Sequence, residues 1–151
     1  MSVRTSRNPK PFEITLSKYA ENAYLGYRDR SHKAEERGET SNYHITAFNM
    51  IRDAVRMIQA NPTDSRHALA GDLSGIFRLK KGRMRICWVT SSQRREICIL
   101  FISETPRKEG DKNDPYAVFT KMVMSGEFKD IFGPLGVPII EGSAGDDYQI
   151  Q

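Results

Sequence analysis

Residues 76–102 read IFRLKKGRMRICWVTSSQRREICILFI. Three short runs in this stretch, Ile76–Lys81, Met84–Thr90 and Glu96–Ile102, are rich in β-branched and aromatic residues. Lys81-Gly82 separates the first two, and Ser91–Arg94 separates the last two. Runs of this composition bounded by turn residues predict strands, here a three-stranded antiparallel meander. With Lys81-Gly82 as a two-residue turn, Lys80 falls opposite Arg83 and Arg78 opposite Arg85. Side chains alternate along a strand, so these four cations share one face. The other face gathers Phe77, Leu79, Met84, Ile86, Trp88, Ile97, Ile99 and Phe101. In the second hairpin, Thr90 opposite Arg95 sets Cys87 directly across from Cys98, on the side of the cations.

An apolar sheet face needs a cover, and the preceding sequence supplies one. Leu16, Tyr19, Ala20, Ala23, Tyr24 and Tyr27 have the spacing of one helical face. The charged stretch Arg28–Glu39 follows, with Gly38 as a break. Ser41 or Asn42 can cap a second helix, whose stripe is Ile45, Phe48, Ile51, Val55 and Ile58, and Asn61-Pro62 stops it. Downstream of the strands, a polar loop leads to Asp114-Pro115, which can open a short helix ending at Gly126. The expected fold is α+β: a helical hairpin packed on one face of a small antiparallel sheet, with a short C-terminal helix. The expected organisation is a loose arm over residues 1–13, a single domain over 14–132 and a peripheral acidic tail over 133–151.

Composition agrees with one globular domain. The chain has 151 residues, 38% hydrophobic and 28% charged, which excludes a disordered chain. No apolar run approaches the roughly 20 residues that span a bilayer, and the basic N-terminus has no hydrophobic stretch behind it. Two cysteines make neither a disulfide framework nor a zinc site, so free thiols and a cytoplasmic location are expected. Charge is unevenly placed. Residues 66–112 hold 11 Lys/Arg against 5 Asp/Glu, whereas residues 113–151 hold 2 against 6. A concentrated basic stretch suits a polyanion.

Like charges directly opposite each other destabilise a sheet, so two basic pairs side by side point to an anion site. The competing reading is a solvated face neutralised by Glu104 or Glu109. His32, His44 and His67 are isolated in sequence and read as surface or packing residues. There is no HExxH, DxD or CxxC pattern, and the turn-like GDLSG at Gly71–Gly75 lacks the lysine and helix of a phosphate-cradling loop. No cofactor or metal is expected. Cleavage of RNA without a metal remains feasible, because a 2′-hydroxyl can attack the adjacent phosphate. It needs a base, cations for the charged transition state and a proton donor for the leaving oxygen. Lys80, Lys112 and Tyr116 are candidates for the proton roles, and Arg78, Arg85 and Arg107 for holding the phosphate. For each lysine the competing reading is a solvated side chain, and for Tyr116 a core aromatic.

The stretch Arg107–Met122, RKEGDKNDPYAVFTKM, closely resembles the C-terminal motif of the YhaV family of toxins, within the RelE/ParE superfamily of bacterial type II toxin–antitoxin systems. FRLKKGRMRICW, from Phe77 to Trp88, is similar to that family's basic hairpin, and the resemblance covers roughly residues 45–125. It implies a RelE-like fold and an endoribonuclease that degrades mRNA and is neutralised by a cognate antitoxin; the ribosome is a candidate further partner. On this resemblance Arg78 falls on the family's hairpin arginine, Arg85 on its strand arginine, and Arg107, Lys112, Asp114 and Tyr116 on its C-terminal motif. Together with the hairpin reading, the expected catalytic set is Arg78, Lys80, Arg85, Arg107, Lys112 and Tyr116, and Lys81, Arg83, Lys108 and Asp114 are expected to contact RNA. Glu109 stands where a relative carries tyrosine, so a different RNA selectivity is expected.

Two other classes compete. A ParE-like toxin that inhibits gyrase without nuclease activity would also show a basic face. A non-catalytic RNA-binding domain would display aromatics for stacking on its open sheet face. The alternation instead sends Phe77, Trp88 and Phe101 to the covered side.

Overall fold

A computed structural model of the chain describes residues 11–40, 42–82, 84–103 and 115–135. In chain order the elements are β1 (Glu13–Leu16), α1 (Lys18–Glu36), α2 (Tyr43–Ala60), two short 3₁₀ turns (Ser65–His67 and Gly71–Leu73), β2 (Phe77–Lys81), β3 (Met84–Ser91), β4 (Glu96–Ile102), α3 (Pro115–Met124) and α4 (Lys129–Leu135). The expected α+β class holds, with one strand more than the meander. The sheet order is β1-β4-β3-β2, and β1 joins parallel to β4. This strand takes in Glu13, within the span expected as an arm, and α4 runs past residue 133 into the span expected as a tail.

Local chemistry sets the helix ends. Ser17 opens α1 by accepting from the Ala20 amide at 3.1 Å, and its hydroxyl also donates to the Leu100 carbonyl. Asn42 opens α2 by accepting from the Ile45 amide at 3.0 Å. Both are the side-chain caps that satisfy otherwise orphaned first-turn donors. The charged stretch after Tyr27 continues α1 as helix as far as Glu36, before Gly38 turns the chain with φ +84°. Asn61 ends α2.

The two helices cover one sheet face. Tyr27, Phe48, Ile51 and Ile58 pack there with Leu79, Met84, Ile86, Trp88, Ile97 and Ile99. Fully burying aliphatic side chains of this kind stabilises by about 1.5–3 kcal/mol each. The Trp88 indole N–H donates to the Pro62 carbonyl at 3.0 Å, so its polar end is satisfied where the chain leaves α2.

The opposite face is not wholly open. Cys87, Val89, Cys98, Leu100 and Phe101 form a second core with Phe119 and Val123 of α3, and with Phe128 and Phe132 beyond it. Phe101 therefore lies on the opposite side from the one its alternation predicted. The cause is a bulge. Cys87 pairs with Phe101, but the next residue, Trp88, pairs with Ile99. Leu100 is the extra residue, and an extra residue shifts the alternation beyond it. Ring centroids of Phe101 and Phe119 are 5.4 Å apart.

Both hairpin registers differ from expectation by two residues. Lys80 pairs with Arg85, Arg78 with Cys87 and Lys81 with Met84, so the connection begins at Gly82 rather than at Lys81. Primed two-residue turns need a positive φ at their first position. Gly82 supplies it, at φ +61°, whereas the predicted turn would have forced it on Lys81. In the second hairpin Val89, not Cys87, lies opposite Cys98, and both thiols are free and buried.

Candidate functional site

Two rows cross the tip end of the sheet on the face away from the helical hairpin. Lys80 of β2 lies opposite Arg85 of β3, and Ser103 follows the end of β4 beside Arg85. In the next row Arg78 lies opposite Cys87, which lies opposite Phe101. The three cations Arg78, Lys80 and Arg85 thus share one face. The two-residue difference in register changes their partners but not their side, because a slip must be odd to reverse a strand's faces.

Beneath them the second core excludes water. Burial pushes the Cys87 thiol well up from its ordinary range, while the nearby Arg78 and Arg85 guanidinium groups pull the other way. Arg78 pairs with the buried Cys87 and Arg85 lies two residues from it on the same face, so both cations stand at the edge of a low-dielectric region, where a charge interaction is stronger than in bulk water. Lys80 is exposed, whereas Arg78 and Arg85 are half-buried. The Arg85 side chain bends toward the turn, where Nη1 donates to the Gly82 and Met84 carbonyls at 2.8 and 3.1 Å. These bonds orient the guanidinium group, which carries five N–H donors in all.

Lys81 points elsewhere. It pairs with Met84 on the helix-covered side, and its Nζ lies 4.0 Å from Met57 Sδ, so it does not join the three cations. Tyr116 belongs to α3, three residues before the Phe119 that packs on Phe101. Arg83, Arg107, Lys108, Lys112 and Asp114 lie outside the described residues, as do Glu104 and Glu109. Ser103, which hydrogen-bonds to Arg85, and Tyr27, which donates to the Ser103 carbonyl, are not singled out by the sequence. Their only signal was a hydroxyl at the end of an apolar strand and an aromatic in a helical stripe.

The histidines sit apart from the cations. His32 packs edge-on to Phe48, and His67 to Trp88, with ring centroids 6.3 and 6.0 Å apart. His67 lines a cleft of about 220 Å³ with Met57, Asp64, Arg66, Leu79 and Trp88. Among the described residues, no three His, Cys, Asp or Glu side chains gather as metal ligands, and no helix is long and apolar enough to cross a membrane.

The chain thus carries a cationic sheet end over a buried apolar core, on an α+β frame. Residues 22–136 match the YhaV toxin family, described as toxins with endonuclease activity of toxin–antitoxin systems. The chain belongs to that family, and it is a toxin endonuclease of a toxin–antitoxin system. No curated protein matches the sequence. Among solved structures, the chain is similar to the intact RelBE toxin–antitoxin complex of E. coli, at 10% identity and TM-score 0.45, covering 64% of this chain and 99% of that one. It is also similar to the RelBE2 toxin–antitoxin complex of Mycobacterium tuberculosis, at 17% identity and TM-score 0.43, covering 64% and 100%. The isolated E. coli RelE toxin matches at 11% identity and TM-score 0.44, covering 74% and 98%.

Proposed function

We propose that the nucleic acid cut by this toxin is RNA, and that the cut proceeds by attack of a 2′-hydroxyl on the adjacent phosphate. The observation that carries this reading is the set Arg78, Lys80 and Arg85, with two of the cations directly opposed across a hairpin. Such opposition costs stability, and a phosphodiester placed between the cations would relieve it with charge-assisted hydrogen bonds. Arg78 and Arg85 hold the phosphate and stabilise the charge that develops on its oxygens. The 2′-oxygen bonds to phosphorus, the bond from phosphorus to the 5′-oxygen breaks, and a cyclic phosphate and a 5′-hydroxyl result. One group takes the 2′ proton and another returns a proton to the leaving oxygen. Lys80, Lys112 and Tyr116 are the proposed proton carriers, Arg107 a further phosphate ligand, and Arg83, Lys108 and Asp114 contacts along the strand.

Residues 14–132 are proposed as the toxin domain, acting in the cytoplasm on mRNA, either alone or at the ribosome. The test is to incubate purified protein, in excess chelator, with an RNA oligonucleotide and with DNA of the same sequence. Cleavage of RNA alone, leaving a 2′,3′-cyclic phosphate, is expected. Equal cleavage of DNA, or a requirement for divalent cations, overturns the proposal. Intact RNA together with inhibited supercoiling would favour the gyrase-directed alternative.

A further inference from the structure

Ser103 stands where the chain leaves the sheet, and its hydroxyl occupies a place in the ladder that a carbonyl normally fills. Ile86 and Ile102 are paired, so the next rung joins Arg85 and Ser103. One bond of that rung is present, from the Ser103 amide to the Arg85 carbonyl at 3.0 Å. An antiparallel rung of this type also has the reciprocal bond, from the Arg85 amide to the Ser103 carbonyl. Here the Arg85 amide instead donates to Ser103 Oγ at 3.1 Å. The Ser103 carbonyl, released from the ladder, accepts from the Tyr27 hydroxyl of α1 at 2.7 Å. Ser103 and Tyr27 are each 1% exposed, so water cannot readily replace either bond, and a lost partner leaves a buried polar group unsatisfied.

We propose that Ser103 is a positioning residue for Arg85, holding the backbone of that cation through a relay that runs from Tyr27 to Ser103 to Arg85. The inference rests on the reading of Arg85 as a phosphate ligand. Among the described residues, the Arg85 side chain bonds to the Gly82 and Met84 carbonyls, within three residues of itself, so its backbone decides where the guanidinium group stands. Without the Ser103 hydroxyl there are two outcomes. Either the Arg85 amide stays without an acceptor, or the carbonyl of residue 103 swings back to it and abandons Tyr27. Each displaces Arg85 relative to Arg78 and Lys80. A misplacement near 1 Å at a reacting centre can cost on the order of a hundredfold in rate.

The test uses the full chain, with amide exchange of Arg85 followed by NMR and RNA cleavage measured in parallel. Ser103→Ala should accelerate exchange of the Arg85 amide and lower kcat by roughly tenfold to a hundredfold, with KM changed far less. In an Arg85→Lys background the same substitution should cost much less, because the two residues act as a unit. Tyr27→Phe, which keeps the Ser103 hydroxyl, should give a smaller loss of the same kind, and it carries the test if Ser103→Ala does not fold. Unchanged Arg85 exchange, or equal kcat losses in both backgrounds, overturns the inference. Should the wild-type chain leave RNA intact, the proposed substrate fails on that result alone, whereas the exchange data still decide whether Ser103 holds Arg85.

Discussion

Lys80 and Arg85 face each other directly across the β2–β3 hairpin, cation against cation, one exposed and the other half-buried. A cross-strand pair of like charge lowers stability on a scale of roughly 0.2–1 kcal/mol. Lys80→Thr keeps a residue suited to strands and removes the repulsion. This variant should unfold at the same or a slightly higher denaturant midpoint while cutting RNA more slowly. Chemical denaturation and a cleavage assay on one preparation check both halves. A variant that loses stability would show instead that Lys80 has a packing role.

Arg78→Ala and Arg85→Ala should separate activity from folding more sharply. Loss of one preorganised donor to a developing anion typically costs about a hundredfold to a thousandfold in kcat. Both side chains are only half-buried, so thermal melting should shift little. Full activity in both variants would remove the two arginines from the phosphate site.

The site's face was legible in the sequence, while its partners were not. Alternation assigns Arg78, Lys80 and Arg85 to one side in any register that differs by an even number of residues. The pairing itself depends on which residue takes the positive φ of the turn, and Gly82 at φ +61° decides it. Alternation puts Phe101 on the wrong side because a bulge at Leu100 leaves no periodic trace in an all-apolar run. Strand β1 leaves little trace in the sequence, because four residues, EITL, carry little pattern and their partner lies more than 80 positions away. Asp114-Pro115 announces the helix that follows, but not its docking onto Phe101, which is a tertiary fact. Sequence also gave no measure of how close Arg107, Lys112 and Tyr116 come to the strand cations.

That docking has an energetic consequence. Phe119 is fully buried and touches both Phe101 and Phe128, with centroids 5.4 and 5.7 Å apart. Phe119→Ala should destabilise the fold by about 3–5 kcal/mol, the usual range for emptying an aromatic site in a core. Urea denaturation measures it. A loss below about 1 kcal/mol would mean that α3 contributes little to folding.

Cys87 and Cys98 should both remain thiols and should react at different rates. Cys87 is fully buried, and burial raises the pKa of both thiols. Attack needs the thiolate, so alkylation of the native protein should be slow at neutral pH, with Cys98 ahead of the more deeply buried Cys87. Both should react promptly in denaturant. Mass spectrometry of alkylated peptides reads the order, and a disulfide in protein from reducing medium would contradict it.

Asp64 should contribute stability that is lost only in strong acid. It accepts from the side chain and the amide of Arg66, and these bonds hold its carboxyl down from 3.8 to about 2. A carboxyl depressed in the folded state stabilises above its unfolded pKa, and that contribution fades as pH falls toward the folded value. Melting temperature should therefore drop as pH is lowered from about 4 to about 2. In Asp64→Asn that drop should be smaller, by a modest amount because the Arg66 partner is well exposed to solvent. Identical pH profiles for the two proteins would mean that the bonds to Arg66 do not persist in solution.

The antitoxin must silence a face that carries several cations, and the direct way is to cover it. An acidic or amphipathic segment lying over Arg78, Lys80 and Arg85 would offer carboxylates where the RNA reading places phosphates. Attraction of that kind speeds encounter and is screened by salt over about 8–10 Å at physiological strength. RNA and antitoxin should therefore compete for the chain, and association of the antitoxin should slow steeply as salt is raised. An antitoxin held on the outer surface of α1 and α2 would act at a distance and allow both ligands to bind together. Titrating labelled RNA off the toxin with antitoxin, repeated over a salt series, distinguishes the two. Simultaneous binding, with association rates indifferent to salt, would rule out occlusion of the cation rows.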